Sequence, residues 1–297
     1  MLVLAVAWLV PLVLAAAVAL VAVRWPRVDP AAPSGNSVAS EVAERRESGP
    51  AAGLALPPGG TTILGLSAAA VAVVASGLAV GLLFLLVRSR AGFGTIDLGA
   101  ARWAERNATS TSTDVLGVLT YLGSTVVALP LVVAVGLLEL RRVPNRSIPA
   151  FLLLVEGGQL LLSNLIKVLV DRARPDLKPL AKFMASSFPS GHTTTAAATF
   201  VALALLIGRR RSPTVRVALA GAAAGLTALV ACTRVLLGVH WTTDVLAGAA
   251  LGWGWAALCS IAFGGRLLRF GGPVEQGLAA PVEPRPGGGG PGTTPSM

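Results

Sequence analysis

Long apolar stretches dominate the chain, separated by short polar or basic segments. A bilayer core about 30 Å thick needs roughly 20 apolar residues per crossing helix. Runs of that kind fall at about 2 to 23, 62 to 87, 114 to 140, 148 to 170, 193 to 208, 215 to 236 and 242 to 264. Seven crossing helices are therefore predicted, the last six forming one bundle. After the first of those six, TIDLGAARWAERN shows a short helical pattern at about 95 to 107. Asp97, Trp103 and Arg106 give it an interfacial character, which predicts a helix lying on the membrane surface. Residues 25 to 60 mix Pro, Ser, Gly, Glu and Arg without periodicity and read as a flexible cytoplasmic linker. Residues 271 to 297 have the composition of a disordered tail. The expected organisation is an N-terminal transmembrane helix at 1–24, the linker at 25–60, a membrane domain at 61–270 and the tail at 271–297. The fold class is all-α, a polytopic membrane helix bundle.

Composition excludes a soluble domain: 54% of the 297 residues are hydrophobic and 13% are charged. A formal charge of +10 would suggest nucleic acid in a soluble protein. Here the arginines cluster in alternate short loops instead. Arg141, Arg142 and Arg146 fill one, Arg209, Arg210, Arg211 and Arg216 another, and Arg266 and Arg269 follow the last run. The positive-inside bias places these segments and the C-terminus in the cytoplasm of a plasma membrane protein. No nucleic-acid partner is expected. Loops 171–192 and 237–241 then face outward, with Arg88 and Arg90 counting against the pattern. The first run, MLVLAVAW onward, has no basic n-region and no small-residue cleavage site, so it reads as an N-out helix and not as a cleaved signal. Cys232 and Cys259 lie inside apolar runs without metal-ligand spacing and read as small buried hydrophobes.

Three groups of polar residues interrupt this pattern. Pro189-Ser190-Gly191-His192 turns the chain into a helix whose N-terminal N–H groups favour an anion, although Ser190 or Thr193 could be an ordinary N-cap. KVLVDRARP places Lys167 and Arg174 two helical turns apart, on one stripe of a helix expected to run until Pro175. Snorkelling, or an ion pair from Lys167 to Asp171, would be the plainer reading. Neither accounts for Arg172 and Arg174 on the side opposite to the positive-inside bias. TRVLLGVHWTTD puts His240 and Asp244 one helical turn apart, so that the carboxylate can take one imidazole proton and leave the other nitrogen as a nucleophile. Arg234 adds a further cation. Both histidines of the chain thus fall on one predicted face with Lys167, Arg174 and Arg234.

These three groups, KVLVDRARP, PSGH and TRVLLGVHWTTD, resemble in order and spacing the signature of the type 2 phosphatidic acid phosphatases. That superfamily includes lipid phosphate phosphatases, bacterial acid phosphatases and vanadium haloperoxidases. Thr233 stands where the family has serine and keeps the hydroxyl. The resemblance covers roughly residues 62 to 264. It implies a six-helix core, here with one additional N-terminal transmembrane helix. It further implies that His240, oriented by Asp244, attacks phosphorus to form a phosphohistidine while His192 protonates the leaving oxygen and later activates water. Lys167, Arg174, Arg234, Ser190 and the Gly191 N–H would hold the phosphoryl oxygens. No metal and no cofactor are expected. The expected substrate is a lipid phosphate or diphosphate whose tail stays among membrane lipids, such as phosphatidic acid, phosphatidylglycerol phosphate or undecaprenyl diphosphate. The sequence carries no signal for an oligomeric state. A lipid-linked phosphotransferase would use the same residues, and a vanadate-holding peroxidase the same pocket. A non-enzymatic lipid-binding or transport protein would account for the intramembrane Glu156 and the cationic pocket.

Overall fold

The computed structural model describes residues 60–89, 94–175 and 186–263 together with the isolated Ala5, and the side chains of its first helix from Ala70. The predicted N-terminal helix, the linker before residue 60 and the tail lie outside the described residues. Eight α-helices follow one another: α1 Gly60–Ser89, α2 Gly94–Asn107, α3 Ser110–Leu119, α4 Thr125–Arg142, α5 Ser147–Val170, α6 Gly191–Gly208, α7 Pro213–Leu236 and α8 Thr242–Phe263. No strand occurs among the described residues.

Five of these helices, α1, α5, α6, α7 and α8, are long and apolar enough to cross a membrane. The predicted crossing at 114 to 140 is not one straight helix. α3 and α4 share it, bent by 45° around the single 3₁₀ turn Thr120–Gly123. Ser124 is extended there, at φ −84 and ψ 147, and its hydroxyl donates to the Tyr121 carbonyl at 2.7 Å. The break sits where α6 packs closest. A Cβ on the neighbouring Gly123 would stand 2.5 Å from the His192 carbonyl oxygen, so α6 approaches the turn as closely as a backbone can.

α6 is the central helix, packed against α4, α5, α7 and α8. Its sequence GHTTTAAATF is small and mildly polar because these contacts leave little room for larger side chains. α8 meets it through Gly248 and Gly252, four residues apart. A Cβ at Gly252 would lie 2.5 Å from the Thr194 carbonyl oxygen. α5 is joined to α6 by polar contacts: Glu156 accepts from the Thr199 hydroxyl at 2.7 Å, and Gln159 accepts from Thr195 at 3.3 Å. Such partners are what an apolar interior requires of a carboxyl group, and they make Glu156 part of a helix contact.

Nearer the far end of the bundle, Ile148, Phe151, Val155, Leu206 and the buried Cys259 form the largest apolar core. Phe151 and Phe263 pack edge to face there, with ring centroids 5.6 Å apart. The same end holds Glu139, which pairs with Arg142 at 2.9 Å and Arg209 at 3.0 Å.

Candidate active site

The candidate residues come from the ends of four elements and gather at the end of the bundle where α6 begins. α5 supplies Lys167 but stops sooner than the spacing predicts. Its last residue is Val170, and Asp171 follows in the left-handed conformation at φ 42. Arg174 is therefore not on a helical stripe with Lys167. It lies in an irregular segment after the helix and reaches the site from there. Asp171 is exposed and makes no ion pair with Lys167 among the described residues. The Lys167 amine instead points at the start of α6, where a Cβ on Gly191 would sit 3.7 Å from Nζ.

α6 begins directly after the PSG turn. Ser190 is its N-cap, with no side-chain cap hydrogen bond, and is fully buried. Its hydroxyl accepts from Thr193 at 3.1 Å while its N–H donates to the Asp244 carbonyl at 3.0 Å. The second bond ties the PSGH turn to the start of α8. His192 is half-buried and faces Arg234, His240, Lys167 and Arg174 across the site. Arg234 is 6% exposed, and its Nη1 donates to the Thr120 hydroxyl at 2.9 Å. Its Nε has no hydrogen-bond partner among the described residues. The Thr233 hydroxyl turns back into its own helix, onto the Val230 carbonyl at 2.6 Å.

His240 and Asp244 meet by a different local geometry from the predicted helical turn. α8 starts only at Thr242, so His240 precedes the helix. Asp244 reaches back over the first turn to accept the Trp241 N–H at 2.9 Å, one half of a capping box. The same oxygen, Oδ2, lies 3.5 Å from His240 Nδ1, which has no hydrogen-bond partner among the described residues. On the other side of the ring, Arg174 Nη1 stands 3.3 Å from Nε2 while also donating to the Val239 carbonyl at 2.9 Å. A guanidinium can only donate. Nε2 therefore presents its lone pair to Arg174 and Nδ1 carries the proton toward Asp244.

Burial pushes the His240 imidazole down to about 4, against the opposing pull of Asp244, with Arg234 and Arg174 adding to the depression. It is neutral at ordinary pH. Burial also draws Arg174 below the usual guanidinium range, partly offset by Asp244. Every predicted site residue thus converges: Lys167, Arg174, Ser190, Gly191, His192, Arg234, His240 and Asp244. Among the described residues no three His, Cys, Asp or Glu side chains are arranged to hold a metal ion.

Three residues escaped the sequence reading. Thr120 holds Arg234 from the bent span. Arg172, which the charge pattern marked without assigning a contact, bridges Asp244 and Asp97, the latter at 2.8 Å. Asp97 does not face outward, as an interfacial acid would. It is 2% exposed and accepts the Thr243 N–H at 3.0 Å and the Thr243 hydroxyl at 2.7 Å. Beneath α2 an apolar cavity of about 830 Å³ opens among α1, α7 and α8, its wall including Trp103, Val235, Leu236 and Thr242.

Residues 149–267 match the profile of the PAP2 superfamily. The chain is 34% identical over 146 residues to phosphatidylglycerophosphatase B of Bacillus subtilis, covering 47% of this chain and 69% of that one. It is 38% identical over 151 residues to the lipid A 1-phosphatase of Rhizobium etli, covering 43% and 57%. With decaprenylphosphoryl-5-phosphoribose phosphatase of Mycobacterium tuberculosis it shares 39% over 106 residues, 34% of this chain and 54% of that one. The match therefore spans little more than half the length of the last two relatives. The crystal structure of a transmembrane PAP2-type phosphatidylglycerolphosphate phosphatase from Bacillus subtilis superposes with a TM-score of 0.58 and 29% identity. The superposition covers 65% of this chain and 98% of that one. With apolar helices that can span a bilayer and all three polar motifs joined at one end, the chain belongs to the PAP2 superfamily as a membrane phosphatase.

Proposed function

We propose that the protein hydrolyses a lipid phosphate or diphosphate through a phosphohistidine on His240, at the extracytoplasmic face of the membrane. The observation that carries this reading is the His240 ring, held with Nδ1 toward Asp244 and the lone pair of Nε2 toward Arg174. A phosphoryl group seated among Lys167, Arg174, Arg234 and the start of α6 would draw Arg174 from Nε2 to its own oxygens, freeing that lone pair to face phosphorus. Nε2 attacks and the ester oxygen leaves with a proton from His192. His192 then takes a proton from water, which attacks the phosphohistidine and releases phosphate. Protons balance over the cycle, and His192 ends as it began. The cations neutralise charge that grows on the equatorial oxygens in the transition state. A lipid substrate is favoured by the membrane-embedded position and by the names of the relatives, which act on phosphatidylglycerophosphate, lipid A 1-phosphate and a decaprenyl-linked phosphate. The arginine-rich loops at the opposite end support the outward facing of the site.

The test is phosphate release by the purified protein in detergent from a panel of phosphatidic acid, phosphatidylglycerol phosphate and undecaprenyl diphosphate. At least one should be hydrolysed, and His240→Ala should abolish turnover. Release by His240→Ala above a mock preparation would remove this residue as nucleophile. Facing is checked with Cys232 and Cys259 replaced by alanine and single cysteines introduced elsewhere. Cysteines within 176–187 should react with an impermeant thiol reagent outside intact cells, and cysteines within 143–147 should not. The reverse pattern places the site in the cytoplasm.

A further inference from the structure

Asp97 stands outside every motif of the signature, on a helix more than 60 residues before Lys167, yet it is buried at the end of a continuous chain of charges that finishes at His240. Its Oδ2 accepts Arg172 Nη2 at 2.8 Å, and Arg172 Nη1 reaches Asp244 Oδ1. Asp244 Oδ2 faces His240 Nδ1. Arg172 is fixed on all sides. Its N–H donates to Ser186 Oγ at 3.0 Å, its carbonyl accepts the Ser187 N–H at 2.8 Å, and its guanidinium lies over the Trp241 ring at 5.4 Å. Asp97 in turn caps the first turn of α8 through the Thr243 N–H, a role usually taken by the residue just before the helix.

We propose that Asp97, acting through Arg172, is a positioning residue for the catalytic histidine, holding the Asp244 carboxylate in register with His240 Nδ1. The proposal rests on the histidine mechanism above. An Asp244 carboxylate bonded only by the Trp241 N–H could rotate away from His240, because 3.5 Å is too long a contact to restrain it. Arg172 occupies the other oxygen and stops that rotation. Arg172 alone would also draw negative charge away from the histidine. The Asp97 carboxylate on the far side of the guanidinium offsets this, so that the acid–arginine–acid series keeps Asp244 basic toward His240.

Asp97→Asn tests this in the full chain, because the amide oxygen can still accept the Thr243 N–H while its NH2 can neither accept from Arg172 nor carry the charge. The charged and titratable groups facing His240 are Asp244, Arg234, Arg174 and His192, and none is altered. Turnover of whichever lipid phosphate the wild type hydrolyses should show kcat reduced about 10- to 100-fold with KM within about threefold. Inhibition by orthovanadate should be unchanged, since the phosphate-holding residues remain. The chain has two histidines, so ¹⁵N-histidine spectra resolve His240, whose titration should move to lower pH in the variant. A kcat within about twofold of wild type together with an unmoved titration would overturn the proposal. Should Asp97→Asn fail to fold, Arg172→Lys keeps one charge but cannot bridge both carboxylates. It should show the same kcat loss, and full activity in that variant would equally overturn the proposal. Absence of hydrolysis by the wild type would instead sink the phosphatase reading, and the titration comparison would still decide the role of Asp97.

Discussion

The two ends of the bundle each bury carboxylates against arginines, with opposite results. At the far end a single carboxylate, Glu139, receives both Arg142 and Arg209. At the catalytic end a single arginine, Arg172, takes both Asp97 and Asp244. Lys167 and Arg234 then make no ion pair among the described residues, whereas Arg209 has Glu139; among the described residues a buried Nε lacks a hydrogen-bond partner in Arg209 and Arg234 alike. In the first arrangement every charge has an ion-pair partner. The second leaves Lys167 and Arg234 without an ion pair among the described residues, and on the proposed function a substrate phosphate would supply the missing partner. Burial of like charges costs stability, so the catalytic end is where the protein gives up stability for function.

Arg234→Met breaks this comparison most directly. Removing one preorganised donor from a transition state typically costs about 10² to 10³ in rate. The variant should lose activity on that scale and yet melt no lower than wild type in detergent, because a buried unpaired N–H disappears. A lower melting temperature with preserved kcat would mean that Arg234 is a structural cation like Arg209.

Glu139→Ala is the converse. It leaves Arg209, whose side chain is only 8% exposed, buried without its carboxylate. Loss of one partner of a buried pair costs about 3 to 5 kcal/mol. Chemical or thermal unfolding should therefore occur earlier while the folded fraction keeps its kcat. Wild-type stability in this variant would show that the far end is less closed than its distances imply.

A smaller effect should follow pH. Folded His240 holds a proton only below about 4, whereas an ordinary histidine does so below about 6.5. Over that interval the unfolded chain binds a proton that the folded chain refuses, so stability falls as pH falls from about 6.5 toward 4. Melting temperatures of the wild type and His240→Gln at pH 7 and pH 4.5 measure this contribution. The fall should be shallower in His240→Gln. Equal slopes would place the folded histidine near its ordinary value.

The crossing helices and the three motifs are legible in the sequence because both are local signals. Apolar runs of membrane length announce themselves, and Lys167, His192 and His240 sit in short polar stretches at the ends of such runs, where charge is costly unless it has a use. What stays hidden depends on contacts between distant segments. Gly123-Ser124 is a pair at which helices kink, but TYLGS does not declare the 45° bend or its close approach to the His192 backbone. Asp97 reads as an interfacial acid because only its partners, Thr243 and Arg172, make it a buried cap. The proximity of His240 and Asp244 follows from their spacing, but its cause does not. A capping turn and a helical turn give the same sequence interval, so spacing could not separate them.

The bond from Thr243 to Asp97 joins residues 146 positions apart, and this separation bears on how the enzyme is made. During synthesis, α2 emerges long before α8, and every crossing helix from the bent span onward must insert between them. Contacts of high sequence separation form late. Asp97 therefore waits without Thr243 until the last helix arrives, and the start of α8 cannot be capped in this way before then. A nascent chain truncated before α8 would contain Lys167, Arg174 and His192 but lack Asp244, which on the proposed mechanism orients the nucleophile. Phosphatase activity would begin only when the final crossing is complete, which makes catalytic competence a readout of finished membrane assembly.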